Sequence, residues 1–418
     1  MKNRIMMFIT TVLFVSLTVH AEEAKAKSVI QIWLGGGPAH TDTFDPKSAS
    51  GPAYTGSIKK SIPTNVDGIK ISETMPLLAQ QADKYSLLRG MTHGQNGHET
   101  ATYIMQTCTF PSGDVVYPSV GAVVGQLYDY DGVLPPYILL PRSLGRFSTS
   151  GFLGTKGSPF IINGKMRNGE YVVSEYVDLE SSKGKKLTSR LNLLSKLDTL
   201  ESSKEYDNWD DQRTKAQQML VGAAGKALDL SDVPKELRDK YGNNEFGQSC
   251  LLARKLVEQG VPFVSVISPG WDTHKKHFEQ MKKKLPILDQ GLSALLEDLD
   301  ERGLLDSTIV LCGGEFGRNP KVSVPAPWSG GRQHYGKAFT WLIAGGGFNS
   351  GHVVGATDAK GENVSTRKIY PVDLSSSIYL NMGIDTNSCL INTLGQKVHI
   401  IQELPEGKIS EGVLNEIM

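Results

Sequence analysis

Cysteine is scarce in this chain. Cys108, Cys250, Cys312 and Cys389 are scattered over 418 positions, too few and too far apart for a disulfide scaffold or a cysteine-based zinc site. Net charge is missing as well. The 44 basic residues balance 44 acidic ones, which argues against a protein held on nucleic acid by a broad basic surface. Beyond the N-terminal segment, no stretch reaches the roughly 18 apolar residues needed to span a bilayer. There is no Gly-x-Ser-x-Gly elbow and no Walker loop. Gly35-Gly36-Gly37-Pro38 is not a dinucleotide fingerprint, because Pro38 and the glycine spacing are wrong. What remains is ordinary: 39% apolar and 21% charged residues, enough to bury a sizeable core.

Residues 1–21 carry Lys2 and Arg4, then an apolar run from Ile5 to Val19, then Val-His-Ala. A basic start, a short apolar middle and small residues at −3 and −1 describe a secretory signal cleaved after Ala21. The competing reading, an uncleaved anchor, suits this short run less well. Cleavage leaves 42 basic residues against 44 acidic, a charge of −2. The expected location is periplasmic or extracellular, with no integral membrane segment after cleavage.

Short apolar runs stopped by glycines predict buried strands. Ser28–Leu34 ends in Gly35–Gly37, Thr308–Cys312 in Gly313–Gly314, and 338–344 in Gly345–Gly347. Tyr85–Leu88 and Val261–Ile267 are further strand candidates. Helices are expected over 73–84, 98–107, 119–128, 246–259 and 371–382. Phe278, Met281, Leu285, Leu288, Leu292, Leu295 and Leu299 form one apolar stripe, predicting a long helix packed on a sheet and kinked at Pro286. Residues 145–245 are polar and read as an inserted subdomain or lid, with charged helical stretches near 187–202 and 209–228. Strands alternating with helices predict an α/β fold: a mostly parallel central sheet with helices on both faces. Ligands bind at the carboxyl edge of such sheets.

Histidines and carboxylates gather at those strand ends. His40, Asp42 and Asp45 follow the first strand. His93, His98 and Glu99 surround the start of a helix, where anions are favoured. Asp272 and His274 follow the strand at 261–267, and Glu315, Arg318, Arg332 and His334 come after the strand at 308–312. Imidazoles and carboxylates held together suit a divalent metal, and Asp272, His274, His334 and Glu315 offer that set from separate strand ends. Taken singly, each histidine reads first as a capping or surface residue. Arg318 and Arg332 could fork onto an oxyanion or form salt bridges.

These residues sit in a longer ordered pattern: Ile32-Trp-Leu-Gly-Gly-Gly-Pro-Ala-His-Thr-Asp-Thr-Phe-Asp-Pro-Lys47, His98-Glu-Thr-Ala101, Tyr117-Pro-Ser-Val-Gly121, Trp271-Asp-Thr-His274, Gly314-Glu-Phe-Gly-Arg318 and Gly331-Arg-Gln-His334. The pattern resembles the exported bacterial family known as domain of unknown function 1501, over nearly all of residues 28–400. That family is similar to a distant branch of the alkaline phosphatase/sulfatase superfamily. The resemblance implies an alkaline-phosphatase-like three-layer sandwich and one or two divalent ions (zinc, calcium, magnesium or manganese). By the superfamily pattern, Asp272, His274 and His334 match one metal site. Glu315, with His40 or Asp42, matches a second ion or the attacking group. His98, Thr100 and Ser119 are the acid/base or nucleophile candidates, and Arg318 and Arg332 stabilise charge.

The chain also departs from the pattern. Phe316 stands where the superfamily has a ligand, Gly35–Gly37 replace the first-strand aspartate, and no cysteine fits the formylglycine signature. The implied activity is metal-dependent hydrolysis of sulfate or phosphate esters of a small molecule or glycan. The alternative is an inactive member that binds sulfated glycans at the cell surface. The sequence leaves oligomeric state open.

Overall fold

Ser28–Leu34 (β1) is buried at all seven positions, and its alternating side chains enter two different cores. Ile30, Ile32 and Leu34 face one apolar cluster, while Val29 and Trp33 face the other. Burial on both faces fits a central strand of a parallel sheet, each such side chain stabilising by about 1.5–3 kcal/mol relative to exposure. The computed structural model describes residues 24–113, 115–145, 149–173, 186, 189 and 226–418. The N-terminal signal segment and most of the helical stretches expected at 187–202 and 209–228 lie outside the described residues.

The other strands of the central sheet are Tyr85–Met91 (β2), Tyr137–Leu140 (β3), Phe160–Ile161 (β4), Phe263–Ser268 (β5), Thr308–Gly313 (β6), Phe339–Ala344 (β7) and Val353–Val354 (β8). Their order is β8-β2-β7-β6-β1-β5-β3-β4. Within this sheet β7 alone runs antiparallel to its neighbours, and the remaining pairs are parallel. Ile30 stands in register with Val310 on one side and Val264 on the other.

The helices used below are His98–Thr107 (α1), Val120–Leu127 (α2), Glu245–Glu258 (α3), His277–Glu301 (α4) and Pro371–Asn381 (α5). Leu251, Leu252 and Leu256 of α3 and Leu285, Leu292 and Leu299 of α4 pack in the cluster holding Ile30. Met105 of α1, Val120 and Val123 of α2, and Leu374 and Ile378 of α5 pack in the cluster holding Trp33. The chain is therefore a mixed α/β sandwich with a mostly parallel sheet between helical layers.

The expected long helix continues through Pro286 to Glu301. Two expectations are corrected in detail. Residues 73–84 hold a short helix over Pro76–Ala79 and a single turn over Ala82–Lys84. Part of the polar middle segment joins the central sheet, because β4 pairs with β3. Among the described residues, no helix is long and apolar enough to cross a membrane.

Candidate metal centre

The loops after β1, β5 and β6 meet at the carboxyl edge of the sheet, where α1 begins. Gly36 makes this possible. Its φ is +113°, and a Cβ there would stand 2.2 Å from the backbone nitrogen of Asp272, so only glycine lets the loop after β1 pass the loop that carries Asp272. The Gly36 amide donates to both oxygens of Glu315, at 2.9 and 3.1 Å. The Glu315 side chain also accepts from Nδ1 of His98 at 2.7 Å. His93, fully buried, donates from Nε2 to the Glu315 backbone oxygen at 2.7 Å. Burial outweighs that bond and holds the His93 pKa down to about 4.

Asp272 occupies the middle. Its Oδ2 lies 3.3 Å from Nε2 of His98. Its Oδ1 lies 3.0 Å from Nε2 of His274, 3.2 Å from Nε2 of His334, and against Nη2 of Arg318. Burial opposes ionisation of Asp272, but Arg318, His274 and His98 outweigh it and bring the pKa down to about 2. His98, Asp272 and His334 present ligand atoms that all lie within 4.8 Å of one another. The hydrogen bond to Glu315 raises the His98 pKa against the effect of burial. Burial lowers that of His334, with Arg318 and His98 adding to the shift.

Proton placement decides what this cluster can do. The Nδ1 of His334 faces the Asn96 carbonyl at 2.7 Å and must donate. The Nδ1 of His98 faces a carboxylate and must donate too. The Nδ1 of His274 faces Gln333 Oε1 at 2.5 Å in the assigned amide orientation. A neutral imidazole carries one proton, so in these tautomers the Nε2 atoms of His274 and His334 turn lone pairs toward the Asp272 carboxylate, while His98, its pKa raised between Glu315 and Asp272, can donate to both. The His274 and His334 Nε2 atoms stand 2.8 Å apart. Acceptors converging on acceptors need a cation among them: an extra proton or a metal ion. An imidazole whose second nitrogen donates to a carboxylate, carbonyl or amide is how metal-binding histidines are held. The residues present therefore fit one divalent ion.

The remaining site candidates are placed elsewhere. Glu315 orients His98 from behind. Asp42 is completely buried, clamped by Arg332 Nε at 2.7 Å and Nη2 at 3.0 Å, and faces His277 Nε2 at 2.7 Å. Burial disfavours its charge, yet Arg332 and His277 together lower its pKa. Arg332 spends its other donors on the carbonyls of Asn319, Pro320 and Tyr54, leaving none for an oxyanion. Its sequence-expected role in charge stabilisation is thus corrected to internal clamping. His40 is buried with Nε2 on the Gly361 carbonyl at 2.8 Å. The expectation that His40 and Asp42 reach a second ion beside Asp272 is not matched by these contacts.

Ser119 caps α2, its Oγ accepting from the Ala122 amide, and is fully buried, so its expectation as a nucleophile is corrected as well. Thr100 lies in the first turn of α1. Among the described residues no serine, threonine or cysteine side chain hydrogen-bonds to His98, Asp272, His274 or His334. Arg318 is also buried and donates to the carbonyls of Gly36, Gly37 and Arg332, but one terminal nitrogen reaches Asp272.

Phe316 explains the departure at its position. Its ring stacks on His334 at 4.7 Å and 28°, and lies 5.0 Å from His98, filling space beside the centre with carbon. Sequence reading assigned no role to Gln333 or Asn96, although Gln333 adjoins His334. The structure turns His277 inward, onto Thr273 at 2.6 Å and Asp42.

Comparison with known proteins places the chain in a family. The sequence pattern of one family, described as "Protein of unknown function (DUF1501)", matches residues 26–413. The chain belongs to that family. No protein of curated function matches it. Among solved structures, this DUF1501 chain is similar to the lipoteichoic acid synthase of Listeria monocytogenes, with 11% identity and a TM-score of 0.40 over 91% of this chain and 75% of that one. A sulfatase from Pseudoalteromonas sp. gives 15% and 0.39 over 85% and 68%. A protein in the alkaline phosphatase superfamily from Vibrio parahaemolyticus gives 10% and 0.41 over 88% and 69%.

Proposed function

We propose that this DUF1501 protein is an exported ester hydrolase that uses one divalent metal ion and acts on sulfate or phosphate esters of a small molecule or glycan. The observation that carries the reading is the convergence of the Nε2 atoms of His98, His274 and His334 on the Asp272 carboxylate. When bound, a divalent ion supplies Lewis-acid polarisation of the ester group and makes water a stronger acid.

The chain's own residues do the rest. Asp272 stays ionised down to strongly acidic pH and anchors the charge. The Asn96 carbonyl, Gln333 and Glu315 fix the rings of His334, His274 and His98 so that each presents Nε2. Arg318 places a guanidinium beside the carboxylate, where negative charge develops on a transferring sulfuryl or phosphoryl group. His98 keeps its proton on Nδ1 against Glu315. The buried pair Asp42–Arg332 holds the loops after β1 and β6 together. With no hydroxyl or thiol bonded to the cluster among the described residues, the attacking group in this reading is water.

One observation favours a second reading. Arg318 already balances Asp272, and an extra proton shared by His274 and His334 would serve in place of a metal, so the site could hold an anion as an inactive glycan-binding member would. The test is elemental analysis of residues 22–418, with Asp272→Asn and His334→Ala, followed by assay on sulfate and phosphate esters with the ion found. The hydrolase reading expects about one equivalent of metal in the wild type, lost in both variants together with turnover. No metal, even after soaking, would favour the binding protein.

A further inference from the structure

Beside the centre stands an indole that the proposed chemistry does not use. Trp328 is 36% exposed, and its ring lies 5.8 Å from that of His274, tilted by 42°. Its loop is not free to choose this position. Ser323 and Gly331 pair with each other, the Ser323 amide donating to Gly331 at 2.9 Å and the Gly330 amide returning to Ser323 at 3.0 Å. Gly331 is pressed so closely on the loop after β5 that a Cβ there would meet the His274 carbonyl oxygen at 1.7 Å. The loop is therefore buttoned against the backbone of a candidate ligand, with its tryptophan turned outward at the rim.

A single exposed indole is ordinary at a protein surface, and what marks this one is its place against the His274 ring. Here its neighbours are polar. Asn96 and Gln333 bond the imidazoles of His334 and His274. The Gln333 Nε2 amide is buried and has no partner among the described residues, a condition that costs stability unless a ligand oxygen supplies the acceptor. Gln95, Asn96 and Lys275 are exposed on the adjoining loops. An occupant must then offer an apolar face to the indole and oxygen atoms to the amides at once. A pyranose does both: its polarised C–H face meets the negative face of the ring, and its hydroxyls meet the amides. An alkyl or aryl group would leave the amides unpaired.

We infer that Trp328 is the platform for a sugar ring, and that the ester taken at this centre is a carbohydrate sulfate or phosphate. This rests on the proposed ester site for the bond that is cut, but the platform itself is testable by binding alone. Calorimetry would compare galactose 6-sulfate and glucose 6-phosphate with methyl sulfate and methyl phosphate, on wild type, Trp328→Ala and Trp328→Phe, with metal content measured on each. The expected result is that the sugar esters bind about tenfold more tightly than the methyl esters in the wild type, a stacking-sized effect. Trp328→Ala should lose that preference while holding the same metal as the wild type, and Trp328→Phe should recover part of it. Equal affinity for sugar and methyl esters in the wild type overturns the inference, and so does a sugar preference that survives Trp328→Ala. If the wild type holds no metal yet shows a Trp328-dependent sugar preference, the hydrolase reading fails and the platform stands.

Discussion

The Nε2 atoms of His274 and His334 face each other at 2.8 Å, and both rings give their Nδ1 side to a fixed oxygen. Two imidazoles cannot share that distance as bare acceptors, so the pair reports a positive charge that belongs between them. Asp272, at 3.0 and 3.2 Å from the same two nitrogens, makes the spot more negative still.

Metal binding should therefore depend on Asp272 and His334 without the fold depending on metal. His334→Ala is expected to abolish stoichiometric zinc or manganese while leaving the unfolding transition in place, because its ring is partly exposed. Asp272→Asn keeps an acceptor for buried Arg318 and should weaken the metal for lack of charge. Elemental analysis and urea melts on the same samples check both. A His334→Ala protein that retains a full equivalent of metal would sink the centre as drawn.

Gln333 offers a sharper test, because its orientation decides the His274 proton. With Oε1 toward Nδ1, as found, Gln333 is an outer partner of a ligand, and Gln333→Ala should cost about 10–100-fold in metal affinity. Gln333→Glu presents an acceptor whichever way it turns and should hold or tighten the metal. Were the amide reversed, His274 would donate from Nε2 to His334, and a metal-free hydrogen-bond chain would result. Gln333→Glu would then create metal binding that the wild type lacks. Competition with a chromogenic chelator separates these outcomes.

Part of this was legible in the sequence. The apolar runs ending in glycines located β1, β6 and β7, and the stripe from Phe278 to Leu299 located α4, because buried strands and amphipathic helices write their period into the chain. Asp272 and His274 stood out because they follow the end of β5, and His334 because it closes the Gly331-Arg-Gln-His motif. His40 and Asp42 stood out equally, yet they point inward. What separates them is Arg332, which captures Asp42 from 290 residues away, a pairing no local pattern records. The helix expected over 73–84 fails by a similar long-range effect. Asp289 of α4 takes the amides of Leu77 and Leu78 at 3.0 and 2.8 Å and caps a shorter helix. β3 was missed because its four residues carry too little periodicity to read.

Stability should fall as the medium is acidified well before the carboxylates titrate. His93 is buried, and its pKa is depressed to about 4, while an unfolded histidine titrates near 6.5. Burial also lowers the pKa of His40 and of His277, the latter against the pull of Asp42. Between about pH 6.5 and 4 the unfolded chain therefore binds more protons than the folded one. Unfolding free energy then rises with pH by up to about 1.4 kcal/mol per unit for each such histidine. Urea melts from pH 7.5 to 5 should show this slope, and His93→Gln should reduce it. A flat profile would mean that these histidines are protonated in the folded protein.

The last prediction concerns Arg332, which the sequence offered as a catalytic cation and the structure makes a clamp. Its guanidinium is wholly buried and spends itself on Asp42 and three carbonyls. Removing one side of a buried pair strands the other charge, at a cost of about 3–5 kcal/mol. Arg332→Met should therefore unfold at markedly lower urea, and Asp42→Asn should do the same, because each leaves its partner buried and unbalanced. The double variant should be less destabilised than the sum of the two, since neither charge is then left alone. A charge-stabilising role at the ester predicts the opposite pattern: Arg332→Met stable but slow, and Asp42→Asn close to wild type. Measuring unfolding and turnover on all three variants decides between a clamp that shapes the centre from behind and an arginine that touches the substrate.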